Sequence, residues 1–586
     1  MSPPSGPASR ILLSGNEAIA LGAWEAGVRV ASAYPGTPST EILETLGRYP
    51  EVRAEWSPNE KVAFDVAVGA AYGGARALTA MKHVGLNVAA DSLFYAVYTG
   101  IQAGLVVVVA DDPGMHSSQN EQDSRHYAHF SKLPCLEPSD PAEARRFAVL
   151  AFDLSEQFDT PVLLRSTTRL SHGKASVPAP GRRREHPASG FRRNLAKYVM
   201  VPGFARGRHP VVEQRLDYLA AWAEDFPGNE IIPGHGPVGV VTSGVAYQYV
   251  REILPDAPVL RLGMVHPLPS RLLRRFAATV DRLLVVEELD PFLLEKLAGL
   301  GIQAEGLPAA LRTGELSTVR LRTVLDAGAG PGPAAGEPPL PGRPPVLCAG
   351  CGHRGVFYAL KTLKATVFGD IGCYSLGVGH PLEAMDTLGC MGAGIGVAHG
   401  AFKAGGTRRP VAVIGDSTLF HSGIPPLLNL VYNGGNVPVI ILDNRTTAMT
   451  GRQDHPGTGK TLQGSTGKAV SLPGLCRALG VERVFEVSPY NLVELRRLLR
   501  ESWTVTEPSV IIAGHPCVLA TRERRPAPVV DRDRCNNCGL CLLLGCPPIT
   551  RLDAGGVSID QVGCNGCGLC VLACARGAIL PEEVDK

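Results

Sequence analysis

The feature that most restricts how this chain can fold is a group of eight cysteines near its C-terminal end. They form two C-x2-C-x2-C triplets, each followed by one further cysteine: Cys535, Cys538, Cys541 and Cys546, then Cys564, Cys567, Cys570 and Cys574. Cysteines three residues apart in a tight turn can surround one iron–sulfur cluster, and a more distant cysteine closes the cage. Zinc ribbons instead use C-x2-C pairs separated by a dozen or more residues. The spacing therefore predicts two 4Fe–4S clusters, with a pair of zinc sites as the alternative.

The two cysteine runs resemble those of bacterial ferredoxins, in which the fourth cysteine of each run ligates the cluster of the other run. This resemblance implies a small α+β ferredoxin-like domain over residues 526–586. Its first cluster would be held by Cys535, Cys538, Cys541 and Cys574, and its second by Cys564, Cys567, Cys570 and Cys546. The first run departs from the pattern by one extra residue before its last cysteine, and Ala575 stands where a proline usually follows Cys574. Neither departure removes a ligand.

Composition excludes several classes of partner. The 57 basic and 55 acidic residues nearly balance, so the chain has no electrostatic footprint for nucleic acid or an anionic membrane. The N-terminal residues form no apolar signal segment, and the longest apolar runs are far too short to span a bilayer. Fifteen cysteines, an odd number with cluster-like spacing, fit a reducing compartment better than a disulfide scaffold. We therefore expect a cytoplasmic protein that binds neither nucleic acid nor membranes.

Strands and helices alternate in three α/β units ahead of the cysteine-rich tail, which predicts doubly wound parallel sheets. The expected boundaries are 1–170, 236–326 and 346–520. Residues 171–235 are expected to form an exposed connecting segment, and its run of three arginines from Arg182 a solvated face. Residues 327–345 are rich in Gly, Pro and Ala and are expected to be a linker.

The third α/β unit contains a candidate cofactor motif. Gly415, Asp416 and Ser417 follow one predicted strand, and Asn444 follows another. Because the carboxyl ends of neighbouring parallel strands face one crevice, these residues are expected to lie close together. The pattern resembles the thiamine diphosphate motif, which implies that Asp416, the amide oxygen of Asn444 and the backbone carbonyl of Thr446 ligate Mg²⁺. The alternative is an ordinary Gly–Asp turn after a strand.

Other segments extend this resemblance along nearly the whole chain. They are 34–39 (YPGTPS), 59–61 (NEK), 81–87 (MKHVGLN), 348–354 (CAGCGHR) and 370–374 (DIGCY). With the motif at Gly415 and the cysteine-rich tail, they resemble the 2-oxoacid:ferredoxin oxidoreductases, most closely the large subunits of the branch that acts on indolepyruvate. The resemblance implies a multidomain thiamine-diphosphate-binding fold. Residues 1–170 would bind the pyrimidine, 236–326 would form a transketolase-C-terminal-like domain, and 346–520 would bind the diphosphate.

The resemblance also implies roles for single residues in the first unit. Glu60 would meet N1′ of the aminopyrimidine and promote loss of the proton at C2. Without the resemblance, Glu60 is simply an exposed acid at a helix start. Thr37 would reach the substrate carboxylate or the cofactor, or would only cap the following helix. His83 and His353 would line the site, or would be structural histidines.

Four cysteines outside the tail occupy the places of a cluster that lies close to thiamine in related oxidoreductases. They are Cys348, Cys351, Cys373 and Cys517. A cluster at this position would give electrons a short path away from the cofactor, which makes a third 4Fe–4S cluster a candidate. The alternative is four buried thiols. The remaining Cys135, Cys390 and Cys476 are expected in the core.

The implied reaction is oxidative decarboxylation of 2-oxoacids, first among them arylpyruvates such as indolepyruvate. It gives aryl-acetyl coenzyme A and CO₂, and ferredoxin takes the electrons. The implied cofactors are thiamine diphosphate, Mg²⁺, two 4Fe–4S clusters and, as a candidate, a third. A small β subunit would complete a hetero-oligomer. Two other classes stay open: a non-redox thiamine-dependent lyase or synthase, and a non-catalytic iron–sulfur electron-relay subunit.

Overall fold

The structure is a computed structural model that describes residues 9–325 and 344–582. The described residues fall into two units, one on each side of the stretch 326–343. The predicted linker 327–345 lies almost entirely outside the described residues. Each unit contains a large, mostly parallel sheet, which confirms the predicted α/β class.

The first unit contains thirteen strands among its described residues. They are β1 (Arg10–Ser14), β2 (Val30–Ala33), β3 (Arg53–Trp56), β4 (Ala77–Lys82), β5 (Leu105–Asp111), β6 (Cys135–Leu136), β7 (Val162–Thr167), β8 (Lys174–Pro178), β9 (Glu230–Ile232), β10 (Val238–Ser243), β11 (Val259–Leu262), β12 (Met264–His266) and β13 (Arg282–Val286). The helices are α1 (Gly15–Glu25), α2 (Thr40–Leu46), α3 (Glu60–Tyr72), α4 (His83–Thr99), α5 (Arg125–Ser131), α6 (Pro141–Phe158), α7 (Thr168–His172), α8 (Leu195–Tyr198), α9 (Pro202–Ala223), α10 (Ala246–Ile253), α11 (Ser270–Ala277), α12 (Phe292–Gly299) and α13 (Thr318–Leu325).

Seven of these strands form the main sheet of the first unit, in the order β12-β6-β7-β5-β4-β2-β3. All pairs are parallel except β12 with β6. Every residue of β5 is buried, as its continuous apolar run predicts for a central parallel strand. A second sheet, in the order β13-β10-β11-β9, covers the expected transketolase-C-terminal-like segment, with β9 antiparallel at its edge. The carboxyl ends of β2, β4 and β5 thus share one edge of the main sheet.

The segment 171–235 is more ordered than the predicted exposed connection. It contains β8, which pairs with β1, and the 22-residue helix α9. The buried residues of α9 are Val212, Arg215, Leu219 and Ala223, which recur at helical spacing and pack toward α4. Arg206, Arg208 and Pro210 lie elsewhere on the helix. Of the basic run, Arg182 is exposed, whereas Arg183 donates hydrogen bonds to the carbonyls of Trp24 and Val28.

The second unit contains ten strands among its described residues. They are β14 (Thr366–Gly369), β15 (Thr387–Leu388), β16 (Pro410–Gly415), β17 (Val439–Asp443), β18 (Arg483–Val487), β19 (Ser509–Gly514), β20 (Val529–Val530), β21 (Ile549–Arg551), β22 (Val557–Ile559) and β23 (Ile579–Leu580). The helices are α14 (His353–Leu363), α15 (Ala393–Ala404), α16 (Asp416–Thr418), α17 (Ile424–Tyr432), α18 (Leu472–Ala478), α19 (Leu492–Ser502), α20 (Val518–Thr521) and α21 (Leu569–Ala573).

Six parallel strands form the main sheet of the second unit, in the order β15-β14-β16-β17-β19-β18. Side chains alternate between two hydrophobic clusters, with Val411 and Val413 in one and Ala412 and Ile414 in the other. Both faces of the sheet are therefore buried, as in a doubly wound fold. The central neighbours β16 and β17 end side by side, which positions the candidate cofactor motif.

The cysteine-rich tail forms a small α+β region built from the antiparallel pairs β20-β23 and β21-β22 with α21. It packs on the diphosphate-binding segment through a shared hydrophobic cluster that includes Tyr358, Leu492 and Leu569. Its last residues, 583–586, lie outside the described part. Among the described residues, no helix combines the length and apolar character needed to cross a bilayer.

Candidate functional site

Glu60 is the first residue of α3, which begins after a short turn at the carboxyl end of β3. The side chain of Asn59 accepts a hydrogen bond from the backbone N–H of Val62 and so caps the helix. Glu60 is only 5% exposed, so it differs from an ordinary solvated acid at a helix start. A Cβ on Gly85 would lie 2.7 Å from both Cγ and Oε1 of Glu60. The start of α4 therefore leaves room for this carboxylate only because residue 85 is glycine.

Other polar groups surround the same edge of the main sheet in the first unit. Lys82, the last residue of β4, donates a hydrogen bond from Nζ to the carbonyl of Ser117 at 2.9 Å. Burial lowers the pKa of Lys82, and the charges of Asp112 and Glu60 oppose that change. The hydroxyl of Ser117 donates to the carbonyl of Thr37 at 3.2 Å. Thr37, Lys82 and Glu60 therefore lie in one polar region.

The structure also shows where Thr37 and His83 lie in this region. Thr37 is half-buried and precedes α2, but the cap residue of that helix is Ser39, whose side chain makes no capping hydrogen bond. His83 is buried, and its Nε2 atom lies 3.2 Å from the carbonyl oxygen of Asn120. Burial lowers the pKa of His83. His83 therefore lies next to the polar region, with one ring nitrogen near a backbone carbonyl.

Substituting alanine for Gly85 is expected to displace Glu60 and lower catalytic turnover by about tenfold to hundredfold, because an error of about 1 Å in a catalytic group has that effect. The measurement is turnover with a 2-oxoacid, together with the α-helical circular dichroism signal. Gly69→Ala is the matched control, since a Cβ on Gly69 of α3 meets nothing within 4 Å. Equal turnover in the two variants would show that the fit of Glu60 against residue 85 is unimportant.

The candidate magnesium site lies where β16 and β17 end in the second unit. Asp416 begins the short helix α16 and is 2% exposed. Its carboxylate accepts hydrogen bonds from the backbone N–H groups of Ser417 at 2.9 Å and Arg445 at 2.8 Å. The side-chain oxygen of Asn444 accepts from the N–H of Thr446 at 3.1 Å. These contacts bring together the two strand ends that the sequence pattern paired.

The donor set of this region suits a hard cation. Carboxylate, amide and carbonyl oxygens are the ligands that Mg²⁺ prefers. Asp443, at the end of β17, has its pKa raised to about 6 by burial and by the negative charge of Asp416. Negative charge therefore accumulates here, which is the condition that a bound divalent cation relieves. The residues present fit magnesium held by Asp416, Asn444 and Thr446.

Gly415 has a packing role at this strand end. A Cβ on Gly415 would lie 2.8 Å from Cε1 of Tyr374. The hydroxyl of Tyr374 in turn donates to the buried carboxylate of Asp370. Burial raises the pKa of Asp370 to about 7. Tyr374 thus packs behind the strand end that carries Asp416.

His455 was not among the residues predicted from the sequence, although it contacts the candidate magnesium ligand directly. It is buried, and its Nε2 atom lies 3.1 Å from Oδ2 of Asp416. The backbone N–H of Gly457 donates to Nδ1 of His455 at 3.1 Å. Because Nδ1 accepts this hydrogen bond, the ring hydrogen lies on Nε2, which donates to Asp416. His455 therefore holds the Asp416 carboxylate in place.

Replacing His455 with leucine is expected to raise the Mg²⁺ concentration needed for half-maximal thiamine diphosphate binding by about 10- to 100-fold, as is typical when a group that orients a metal ligand is removed. The measurement is calorimetric titration of thiamine diphosphate at several Mg²⁺ concentrations after chelator treatment. His380→Leu serves as the control because the His380 side chain is 85% exposed. An unchanged Mg²⁺ requirement in the His455 variant would contradict the assigned role.

A cavity of about 650 Å³ joins this region to four cysteines of the second unit. Its lining includes Asp443, Asn444, His353, Cys348, Cys351, Cys373 and Cys517. The backbone N–H of Cys517 donates to the carbonyl of Asn444 at 3.0 Å, so the cysteine loop and the magnesium loop are directly connected. Burial lowers the pKa of His353 to about 4, which keeps this ring neutral at the cavity wall.

The four cysteines of the cavity are close enough for the charge of one to change the pKa of another. Burial raises the pKa of Cys351 to about 12, and the charges of Cys348 and Cys373 add to the effect. Burial likewise raises the pKa of Cys373 to about 11, with Cys517 and Cys348 contributing. Such thiols stay protonated until a metal displaces the proton. The structure thus brings together the four residues of the candidate third cluster.

The eight tail cysteines divide into two sets that follow the ferredoxin pattern. One internal cavity is lined by Cys535, Cys538, Cys541 and Cys574. A second is lined by Cys546, Cys564, Cys567 and Cys570. The last cysteine of each run therefore lies with the triplet of the other run, as the resemblance implies. We call these the first and second cysteine sets.

The thiols in these sets differ in their surroundings. Burial raises the pKa of Cys570 to about 12, and Cys567 and Cys546 add to the effect. Burial also acts to raise the pKa of Cys574, but backbone N–H groups, led by that of Ala578, outweigh it, and the pKa is lowered. Of the cysteines without a predicted ligand role, Cys135 and Cys476 are buried as expected, whereas Cys390 is exposed. The expectation that Cys390 belongs to the core is wrong.

Arg354 links the cavity cysteines to the second cysteine set. This arginine is 2% exposed and donates from Nε to the carbonyl of Cys348 at 2.9 Å and from Nη1 to that of Leu544 at 3.0 Å. It also donates to the carbonyls of Leu347 and Gly545. Among the described residues, no carboxylate pairs with it. The sequence analysis included Arg354 only as part of the segment 348–354 and gave it no role.

Comparisons with known proteins agree with this architecture. Residues 21–214 match the family model described as pyruvate flavodoxin/ferredoxin oxidoreductase, thiamine diphosphate-binding. Residues 370–513 match the C-terminal TPP-binding domain of thiamine pyrophosphate enzymes. The fold and these matches place the chain in the class of thiamine-dependent, ferredoxin-linked oxidoreductases.

Full-length relatives narrow the class further. The indolepyruvate oxidoreductase subunit IorA of Archaeoglobus fulgidus is 41% identical over 98% of this chain and 97% of its own length. The protein of the same name from Methanothermobacter marburgensis is 41% identical over 99% of this chain and 98% of its own. The chain therefore belongs to the IorA family of indolepyruvate oxidoreductase subunits, and the predicted family is confirmed.

More distant similarity is found to a solved structure. A 2-oxoglutarate:ferredoxin oxidoreductase from Magnetococcus marinus, with 2-oxoglutarate, coenzyme A and succinyl-CoA bound, matches 52% of this chain and 63% of its own, with 19% identity and a TM-score of 0.46.

Proposed function

We propose that this chain is the thiamine-dependent subunit of an enzyme that oxidatively decarboxylates 2-oxoacids and passes the electrons to ferredoxin. The observation that carries the proposal is the cavity of about 650 Å³, which is lined both by Asn444 of the candidate magnesium site and by four cysteines. A decarboxylation that leaves two electrons behind needs a one-electron acceptor close to the cofactor. Ligands for both groups in one cavity support that coupling.

When bound, thiamine diphosphate supplies a carbon nucleophile for the keto group, and iron–sulfur clusters accept electrons one at a time. Asp416, Asn444 and the Thr446 carbonyl would hold the magnesium ion that neutralises the diphosphate. Buried Glu60 would share a proton with N1′ of the aminopyrimidine. The eight tail cysteines would hold two 4Fe–4S clusters, and the four cavity cysteines would hold a third.

The reaction balances without a further reagent. One 2-oxoacid and one coenzyme A thiol give an acyl-coenzyme A thioester, CO₂, one proton and two electrons, and each of two ferredoxin molecules takes one electron. Because the full-length relatives are named indolepyruvate oxidoreductase subunits, we propose arylpyruvates as the substrates, with indolepyruvate first. Since that name also denotes a subunit, we propose a hetero-oligomer with a small β subunit.

One anaerobic assay separates this proposal from its alternatives. The chain is co-expressed with its small subunit, and reduction of a viologen dye is followed with indolepyruvate, with and without coenzyme A. The proposal requires substrate-dependent dye reduction with formation of the thioester. Release of an aldehyde without dye reduction would indicate a non-redox lyase. Clusters without bound thiamine diphosphate would indicate an electron-relay subunit.

The number of clusters is tested by iron content. We expect about twelve iron atoms per chain, four for each cubane cluster. Cys348→Ser is expected to reduce the content to about eight and to remove one component of the electron paramagnetic resonance spectrum. Cys476→Ser is the control, because this buried cysteine lines none of the three cysteine cavities. About eight irons in the unmodified chain, with no spectral change in Cys348→Ser, would remove the third cluster.

A further inference from the structure

The two cysteine sets of the tail differ in their access to solvent. The second set faces the diphosphate-binding segment, since Cys564 lines both its own cavity and the large cavity. A Cβ on Gly350 would lie 2.0 Å from the side-chain amide of Asn565, so the two segments are in close contact there. The first set contains the exposed Cys538, whereas no cysteine of the second set is exposed, since Cys570 is buried and the other three are partly buried. The first set is therefore the outer one.

Three exposed arginines surround the first cysteine set, and we call them the arginine rim: Arg534, Arg551 and Arg576. Arg551 and Arg576 line the cavity of that set. A Cβ on Gly539 would lie 3.0 Å from Nη2 of Arg551, so the guanidinium lies over the loop of the first triplet.

Arg534, the third arginine of the rim, lies next to the loop that contains Cys574. A Cβ on Gly577 would lie 3.5 Å from Nη2 of Arg534, which places this guanidinium over the turn that follows Cys574. The arginines of the rim therefore cover both loops that carry the cysteines of the first set.

Among the described residues, no carboxylate pairs with the arginine rim. Within residues 9–325 and 344–582, none of the three arginines forms an ion pair, whereas Arg483 and Arg497 of the same unit both pair with glutamates. No acidic residue lines the cavity, and the exposed acids Asp533 and Asp553 of the tail are not part of its wall. Leu540, 36% exposed, adds an apolar contact at the same mouth.

We propose that the arginine rim, with Leu540, is the docking surface for an electron-carrier protein with an acidic face. This inference rests on the proposed function, because it needs electrons to reach the first cysteine set. Unpaired surface charges of one sign steer an oppositely charged partner and raise its association rate. Short-lived redox complexes use small interfaces. Three charged side chains and one apolar side chain around an exposed cysteine are therefore enough surface for such a complex.

The test uses the complete heteromeric enzyme with the double substitution Arg551→Glu/Arg576→Glu. Electrons are delivered from the 2-oxoacid to a purified acidic ferredoxin or, separately, to a small viologen dye. At low salt, kcat/KM for ferredoxin is expected to fall about tenfold or more, with a much weaker dependence on ionic strength. Dye reduction is expected to stay within about twofold, because a small dye needs no docking surface. Arg408→Glu/Arg500→Glu is the matched control, since it changes two exposed arginines of the same unit that lie outside the tail.

Each outcome decides the inference. Unchanged ferredoxin kinetics, or an equal loss in the control, overturns it. Release of the small subunit on gel filtration would show that the rim holds that subunit instead, and also overturns it. If the double variant loses its cluster absorbance, the same ferredoxin and dye measurements are made on Arg551→Gln/Arg576→Gln, and the same results decide the inference. Absence of substrate-dependent dye reduction in the unmodified enzyme would instead refute the proposed function. Failure of the docking inference can therefore be told apart from failure of the proposed function.

Discussion

Glu60→Gln is expected to lower turnover by about 10²- to 10⁴-fold, the range that a positioned proton-transfer group typically contributes. Glutamine keeps the size and shape of the side chain but cannot exchange a proton with N1′. The residue is 5% exposed and lies against Gly85, so the substitution leaves the packing of α3 and α4 in place. The measurement is anaerobic dye reduction, with cofactor affinity and cluster absorbance recorded on the same sample.

Glu55→Gln is the matched control for this prediction, because Glu55 is an exposed glutamate on β3 of the same unit. It is expected to retain full turnover. Exchange of the C2 proton of bound thiamine diphosphate for deuterium gives an independent readout, and it should slow in Glu60→Gln alone. Normal exchange with low turnover would mean that Glu60 acts at a later step, and normal turnover would remove it from the mechanism.

Spacing along the chain was sufficient to predict the groups of cysteines. Each triplet is a local turn, so its three sulfurs are together in almost any fold, and the ferredoxin pattern then pairs Cys574 and Cys546 with the opposite triplets. The structure lines one cavity with each of these sets. The strand ends at Gly415 and Asn444 were predictable for a related reason, since buried parallel strands align their carboxyl ends.

Contacts between distant segments were not predictable from spacing. The ring of Tyr374 behind Gly415, the fit of Gly85 against Glu60 and the hydrogen bond from His455 to Asp416 each join residues tens of positions apart. Neither the hydrophobic periodicity of a segment nor a short motif predicts which distant residues will be in contact. Helix α9 was missed for the opposite reason, because the composition of the stretch before it indicated a connection, whereas four buried residues at helical spacing stabilise the helix.

Arg354 is a buried cation that bonds to carbonyls of both the diphosphate-binding segment and the tail. Burial lowers the pKa of Arg354, whereas the neighbouring cysteines, led by Cys546 and Cys351, act to raise it. A buried cation without a carboxylate partner is strongly unfavourable unless another anion lies close. Cluster-bound thiolates of Cys348, Cys351 and Cys546 would be that anion. Arg354 is then a shared counter-ion between the candidate third cluster and the second cysteine set.

Arg354→Met is expected to make reduction of the neighbouring clusters less favourable, because it removes a positive charge from a site that gains an electron. A tenfold change in the one-electron equilibrium corresponds to about 59 mV, and we expect a shift of at least this order to more negative potential. The free energy of unfolding should also fall by on the order of 3 kcal/mol, since buried carbonyls of both segments lose their donor. Redox titration followed by electron paramagnetic resonance measures the potential, and chemical denaturation under anaerobic conditions measures the stability.

Two further variants separate the charge of Arg354 from its structural contacts. Arg354→Lys keeps the charge with fewer hydrogen bonds, so it should restore most of the potential but only part of the stability. Arg215 is also buried and bonds to carbonyls, those of Asp159 and Val97, but it lies in the first unit, and no cysteine contributes to its pKa. Arg215→Met should therefore lower stability without moving any cluster potential. If Arg354→Met behaves like Arg215→Met, the arginine only holds the two loops together, and its charge has no part in electron transfer.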